Sequence, residues 1–139
     1  MNIGIFGVGK FGETHIKVLQ KIQEINIVGL FDPNKKRAQE ISKKYQIKSY
    51  ETVKSLIEKC DAIDIVSNTN THFNIMKIGI AYNKHIFVEK PICSHQIELK
   101  KLTEKTIDYK PIIQVGHIER YNPAAQTGFQ EIQDIKSIK

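Results

Sequence analysis

The chain has 139 residues, of which 40% are hydrophobic and 26% charged, the size and make-up of one globular domain with a buried core. It holds no apolar run of bilayer-spanning length, Met1-Asn2-Ile3-Gly4 does not begin a signal peptide, and Cys60 and Cys93 stand alone, in no CxxC pair, which suggests no disulfide framework. The expected setting is therefore the cytoplasm, with no membrane. A formal net charge of +6 raises nucleic acid as a partner. However, Lys35-Lys36-Arg37, Lys43-Lys44 and Lys100-Lys101 alternate with Ala38, Ile41, Leu99 and Leu102. That is the pattern of solvated helix faces rather than one basic strip, and no nucleic acid is expected.

In chain order, residues 2–6 form an apolar run ending in glycines, a strand. Residues 11–22 carry Ile16, Val18, Leu19 and Ile22 as a helical stripe. Residues 25–31 are apolar and β-branched, a second strand. Residues 33–45 are polar with Ala38, Ile41 and Tyr45 on one side, a second helix. A brief strand is expected around Ile47 and a short helix over 53–57. Then follow a strand over 62–67, a helix over 72–82 with Ile75, Ile78 and Ile80, and a strand over 86–88. A long helix over 94–107 and a strand over 112–115 come next. Residues 122–135 read as helix, with Phe129 and Ile132 available for burial. Apolar strands alternating with amphipathic helices predict the α/β class: a Rossmann-type doubly wound parallel sheet with helices on both faces. There is no internal repeat or low-complexity tract.

Directly after the first strand stands Gly7-Val8-Gly9-Lys10-Phe11-Gly12, a GxGxxG opening the first helix. The first glycine makes the tight turn, the second lets the backbone approach a pyrophosphate, and the third lets helix and strand pack closely. The helix N-terminus adds free N–H groups and a partial positive charge. Residues 7–12 are thus expected to bind a dinucleotide. Residues 4–10 also read GxxxxGK, but Phe11 stands where a P-loop needs a magnesium-binding hydroxyl, which excludes that motif. Asp32 closes the second strand, about 20 residues beyond the loop, where a carboxylate accepts from ribose hydroxyls and repels a 2′-phosphate, so the cofactor expected is NAD. Asp32 could also cap the next helix, with Pro33 at its first position.

Further on, Glu89-Lys90-Pro91 follows the strand 86–88. With the glycine loop and Asp32 in this order, the chain resembles the glucose–fructose oxidoreductase / inositol dehydrogenase / MocA family over essentially its whole length. The resemblance implies that Lys90 sits by the nicotinamide and assists proton movement at a substrate hydroxyl, with Glu89 beside it. Residues 65–72, Ile-Val-Ser-Asn-Thr-Asn-Thr-His, look like the family's strand-end loop, which implies that Ser67, Asn68 and His72 line the cofactor. Asn68 replaces the usual proline. Residues 115–124, Val-Gly-His-Ile-Glu-Arg-Tyr-Asn-Pro-Ala, resemble a signature of members that oxidise UDP-N-acetylglucosamine at the third sugar carbon. By that resemblance His117, Arg120 and Asn122 face the substrate.

The resemblance divides the chain into a dinucleotide-binding domain over 1–120 and, over 121–139, a connecting helix and the start of a second α/β domain. Family members continue into that domain, which supplies most sugar contacts. The expected function is hydride transfer between a sugar or sugar-nucleotide carbon and nicotinamide, with a partner chain possible for the second domain and self-association through uncovered apolar surface. The alternative is a catalytically silent NAD-binding module acting through a partner protein. No metal is expected, since Cys93 and His95 have no partner ligands at a recognised spacing.

Overall fold

The computed structural model describes residues 1–131. Strand β1 (Asn2–Phe6) runs into helix α1 (Lys10–Leu19), then β2 (Asn26–Phe31), α2 (Lys35–Tyr45), α3 (Val53–Ile57) and β3 (Ala62–Ile65). Helix α4 (Thr69–Ala81), β4 (His85–Val88), α5 (Gln96–Lys105) and β5 (Ile113–Val115) follow, and a 3-10 turn (Ile118–Tyr121) leads to α6 (Pro123–Glu131). The five strands are all parallel, in the order β2-β1-β3-β4-β5. The chain moves outward from β1 to β2, crosses back to β3, and moves outward the other way. Strand order therefore reverses between β1 and β3, the crevice where open α/β sheets take ligands. The expected fold class is the one observed.

Strand residues alternate between the two faces of the sheet, and each face has its own core. On one, Phe6, Ile63, Ile65, Ile86 and Val88 pack with Leu56 and Ile57 of α3, Ile75 and Met76 of α4, and Leu102 of α5. On the other, Ile3, Ile5, Leu30 and Ala62 pack with Val8, Ile16 of α1, and Ala38 and Ile41 of α2. The second core covers only the β2-β1-β3 half. Beyond it Asp64, His85, Phe87 and Gln114 face an open cleft of about 580 Å³ flanked by α1. No helix among the described residues is long and apolar enough to cross a membrane.

Several expected boundaries move. No strand forms around Ile47: Gln46 ends α2 with a left-handed φ of 56° and Thr52 already caps α3. That leaves room for a single bridge between Ser49 and Leu30, while Ile47 itself fills the second core. Helix α2 begins at Lys35 rather than Pro33 because Asn34 is the cap, its side chain accepting from the Arg37 N–H at 3.1 Å. The capping role considered for Asp32 thus belongs to Asn34. Helix α4 begins before His72, capped by Asn68, whose carbonyl accepts from the Thr71 hydroxyl at 2.7 Å. Helix α1 stops at Leu19, where Lys21 and Ile22 turn back onto the carbonyls of Val18 and Leu19. The last part of the helix expected over 122–135, and the burial expected of Phe129 and Ile132, lie outside the described residues.

Candidate functional site

Parallel strands bring their C-terminal ends to one edge of the sheet. That edge gathers the glycine loop after β1, Asp32 after β2, Ser67 and Asn68 after β3, Glu89 and Lys90 after β4, and His117 after β5.

Gly7 adopts φ +94°, and a Cβ there would lie 2.5 Å from the Ser67 Cα. Only glycine lets β1 turn so close to the end of β3. A Cβ on Gly12 would strike the Gly7 carbonyl oxygen, so the third glycine is what seats α1 against the turn. Gly9 differs: a Cβ there meets nothing within 4 Å, and as N-cap it offers no side-chain acceptor to the first turn of α1. The N–H groups that open α1 therefore face a bare cradle, as a bound pyrophosphate requires. Lys10 and Phe11 complete that turn with exposed side chains.

Val8 has its side chain in the core and its peptide gripped from both sides. Its N–H donates to Asp32 Oδ2 at 2.9 Å, and its carbonyl accepts from Arg37 Nε at 2.9 Å. Asp32 Oδ1 accepts from the Asn34 N–H at 2.8 Å. Each carboxylate oxygen keeps a further lone pair for a ribose hydroxyl. Asp32 lines a cleft of about 100 Å³ with Phe31, Pro33, Ser49 and Tyr50.

Past the crevice, the Ser67 hydroxyl pairs with the Thr71 hydroxyl at 2.6 Å and Asn68 is exposed. The expectation that His72 lines the cofactor is corrected. It is 1% exposed, with Nδ1 3.0 Å from the Pro91 carbonyl and Nε2 2.9 Å from the Ser67 carbonyl. Neither ring edge is open, so His72 ties the β3 loop to the loop that follows Lys90. Glu89 is buried, and its Oε2 accepts from the Lys90 N–H at 3.3 Å, while the Lys90 side chain is exposed. His117 and Arg120 are exposed beyond β5, and Arg120 has no ion-pair partner among the described residues. Both polar atoms of Asn122 serve the start of α6: Nδ2 donates to Glu119 at 2.7 Å, and Oδ1 accepts from the Ala124 N–H at 3.0 Å.

Residues 1–117 match the oxidoreductase family described as having an NAD-binding Rossmann fold, GFO_IDH_MocA. The chain belongs to this family. Among curated relatives it is 30% identical over 126 residues to UDP-N-acetylglucosamine 3-dehydrogenase of Acidithiobacillus ferrooxidans, covering 91% of the chain and 40% of the relative. It is 29% identical over 125 residues to myo-inositol 2-dehydrogenase of Thermotoga maritima, covering 88% and 37%. A solved structure of the Acidithiobacillus enzyme superposes with a TM-score of 0.86 at 29% identity, covering 96% of this chain and 42% of that one. A scyllo-inositol dehydrogenase of Lactobacillus casei holding NAD(H) and scyllo-inositol shares the fold, with a TM-score of 0.86 at 21% identity over 94% of this chain and 40% of that one. The chain thus spans about two fifths of the length of these relatives. As in the family, its cofactor is NAD.

Three elements of this family domain were not anticipated from the sequence. Arg37, read as part of a solvated basic cluster, instead holds the glycine loop and pairs with Glu13 at 2.7 Å and Glu40 at 2.6 Å. Glu13 in turn accepts from Lys44 and from the Tyr45 hydroxyl, each at 2.7 Å. Hydrogen bonds from Lys44, Tyr45 and Arg37 hold its carboxyl down at about 2. The third is a buried group: Asp64 of β3, His15 of α1 and Glu89, with His15 Nδ1 3.0 Å from Asp64 Oδ2 and Nε2 3.5 Å from Glu89 Oε1. One signal was available for it, a lone charge inside the otherwise apolar Ala62-Ile63-Asp64-Ile65.

Proposed function

We propose that the chain holds NAD along its strand ends as part of an oxidoreductase that moves a hydride between nicotinamide and the hydroxyl-bearing carbon of a sugar or sugar nucleotide, of the UDP-N-acetylglucosamine kind. The main chain of residues 7–12 receives the pyrophosphate, and Asp32 receives the ribose hydroxyls. Ser67, Asn68 and Glu89 line the path to the nicotinamide, and His72 braces that path from below. When bound, NAD supplies the hydride acceptor. Lys90 takes the proton of the reacting hydroxyl, and His117 and Arg120 stand on the substrate side. Asn122 serves that side by fixing the start of α6.

The observation that carries this reading is the arrangement at the end of β4. An exposed lysine amine stands on a main chain anchored by a buried carboxylate, at the same edge as an uncapped helix N-terminus. A general base beside an anion cradle is what dehydrogenation of an alcohol requires. The sugar-nucleotide choice is supported by the 115–124 segment and by the name of the Acidithiobacillus relative. The remaining sugar contacts are assigned to polypeptide beyond the region shared with the relatives, in the same protein or in a partner chain. The proposed setting is the cytoplasm, and the chain alone is expected to self-associate through the uncovered half of its sheet.

Calorimetry with NAD⁺, paired with an assay of NADH formation from UDP-N-acetylglucosamine, tests the reading. Saturable NAD binding by the chain is expected, with NADH formation only when the sugar-binding half is present, and lost in Lys90→Ala. Turnover that survives Lys90→Ala would refute the role of the lysine. NAD binding without turnover in any such assembly would favour the silent module.

A further inference from the structure

His15 lies one turn beyond Gly12 on the helix that opens at the glycine loop, yet its ring points away from that loop into the sheet. It meets Asp64 Oδ2 at 3.0 Å and Glu89 Oε1 at 3.5 Å. The first is a hydrogen bond and the second a charge contact. Phe11 packs on one side of the ring with centroids 5.0 Å apart, and Phe87 meets it edge-on at 5.8 Å. Asp64 is 4% exposed and Glu89 8% exposed. Asp64 Oδ1 and Glu89 Oε1 have no hydrogen-bond partner, and no lysine or arginine among the described residues pairs with either carboxylate. Thr14, His85 and Gln114 line the cleft beyond the ring.

Buried carboxylates need a cation or a proton close by, and here the imidazole is what lies between them. Burial alone would push the His15 ring down. The hydrogen bond to Asp64 and the charges of Asp64 and Glu89 together outweigh it, and the ring is raised above 6.5. Burial pushes the Asp64 carboxyl up, with His15 pulling partly against it. The ring also reaches the strand end. Glu89 Oε2 accepts from the Lys90 N–H, and Glu89 Oε1 fills the space that a Cβ on Gly116 would need, 2.6 Å away.

We propose that His15 is a positioning residue for the nicotinamide end of the site: clamped to Asp64, it holds the Glu89 carboxylate, and through it the main chain of Lys90 and the seat of Gly116. The significance of Lys90 rests on the function proposed above. The clamp makes one helix carry both tasks, receiving the pyrophosphate at its first turn and fixing the lysine loop from its second. When the ring loses its proton, Glu89 loses its counter-charge and shifts, so the Lys90 main chain reports the state of His15.

The test is ¹⁵N NMR on the full chain, following the His15 ring and the amides of Lys90 and Gly116 from about pH 5 to about pH 9, the range in which histidines titrate. His117→Gln is placed in the background so that the ring next to Gly116 does not contribute, and the His72 ring, bonded to the Pro91 carbonyl, is followed in the same spectra. Both amides are expected to shift with the midpoint of His15. His15→Asn should abolish the step. Asp64→Asn, which preserves shape should His15→Asn fail to fold, should move the midpoints of ring and amides down together. Amides that stay flat while the ring titrates, or that titrate unchanged in His15→Asn, would overturn the proposal. Full turnover in Lys90→Ala with the amides still following His15 would support the clamp and remove only the catalytic role of the lysine.

Discussion

Asp32 is expected to make the choice between NAD and NADP, and its surroundings set the size of the preference. A 2′-phosphate would sit against a half-exposed carboxylate that two backbone N–H groups, from Val8 and Asn34, already hold in place. The carboxylate therefore cannot swing away without releasing the glycine loop. The Arg37 guanidinium on α2 is already held by the Val8 carbonyl, Glu13 and Glu40, and its charge is balanced by those two carboxylates. Two unit charges about 4 Å apart repel by about 1 kcal/mol in water and about 4 kcal/mol at the effective dielectric of a protein surface. A half-exposed group falls between these limits, at roughly 1.5–3 kcal/mol, or about tenfold to a hundredfold weaker binding of NADPH than NADH.

Calorimetric titration of both cofactors at about 50 mM and about 300 mM salt reads the ratio directly, and a charge-based preference should shrink at the higher salt. Asp32→Asn should bring the two affinities to within about threefold, since the charge goes while one acceptor stays. The variant loses one of the two backbone bonds, so its melting is measured alongside, with a loss of about 1 kcal/mol expected. NADPH binding as tightly as NADH to the parent chain would refute the argument. So would an Asn variant that keeps the full ratio, because the preference would then reside in the shape of the cleft.

Lys90→Ala, in an assembly that turns over sugar, should lower kcat by about 10²–10⁴ while calorimetric NAD affinity stays near that of the parent. Gly12→Ala should cost the chain its NAD affinity, because a Cβ there meets the Gly7 carbonyl and displaces α1 from the turn; fluorescence titration measures this, and unchanged binding would show that the loop yields freely. Glu13 has a folded value of about 2 against an ordinary 4.5, so its stabilisation is complete above 4.5 and lost as pH falls toward 2. In urea melts, Glu13→Gln should therefore be less stable than the parent at neutral pH, with the gap closing as pH falls toward about 2.

Much of this domain was legible because its logic is local. A glycine loop between an apolar strand and a helical stripe, followed by a strand-end aspartate, can be read from spacing, since each feature depends on neighbours a few positions away. What escaped depends on pairs that only the folded sheet brings together. Arg37 and Val8 lie 29 positions apart, and His15 and Asp64 lie 49 apart. Nothing in Lys35-Lys36-Arg37 separates the residue that turns inward from the two that face water. His72 shows the same limit from the other side. Its likeness to a family strand-end loop implied contact with a ligand, but in the folded chain the carbonyls of Ser67 and Pro91 claim its ring. A brief strand was expected around Ile47, whose side chain serves the core instead.

The cleft of about 580 Å³ and the dinucleotide edge also differ in origin. Cavity size follows layer packing. Where α1 and α2 cover β2 and β1 but nothing described covers β4 and β5 on that face, a wide apolar trough remains, lined by Ile3, Val18, Leu19, Phe87 and Ile112. Ligand chemistry follows strand direction, because parallel strands place their C-terminal ends, the N-termini of the following helices and the polar loop residues together at one edge. The trough of about 580 Å³ is thus apolar, while the cleft of about 100 Å³ beside Asp32 lies at the polar strand-end edge. His15 is where the two regions meet: its ring lies on the wall of the trough, while its charge acts through Glu89 on the loop at the edge. A substitution in the trough can therefore be felt at Lys90 without touching any residue that meets NAD, and the route runs through that one ring.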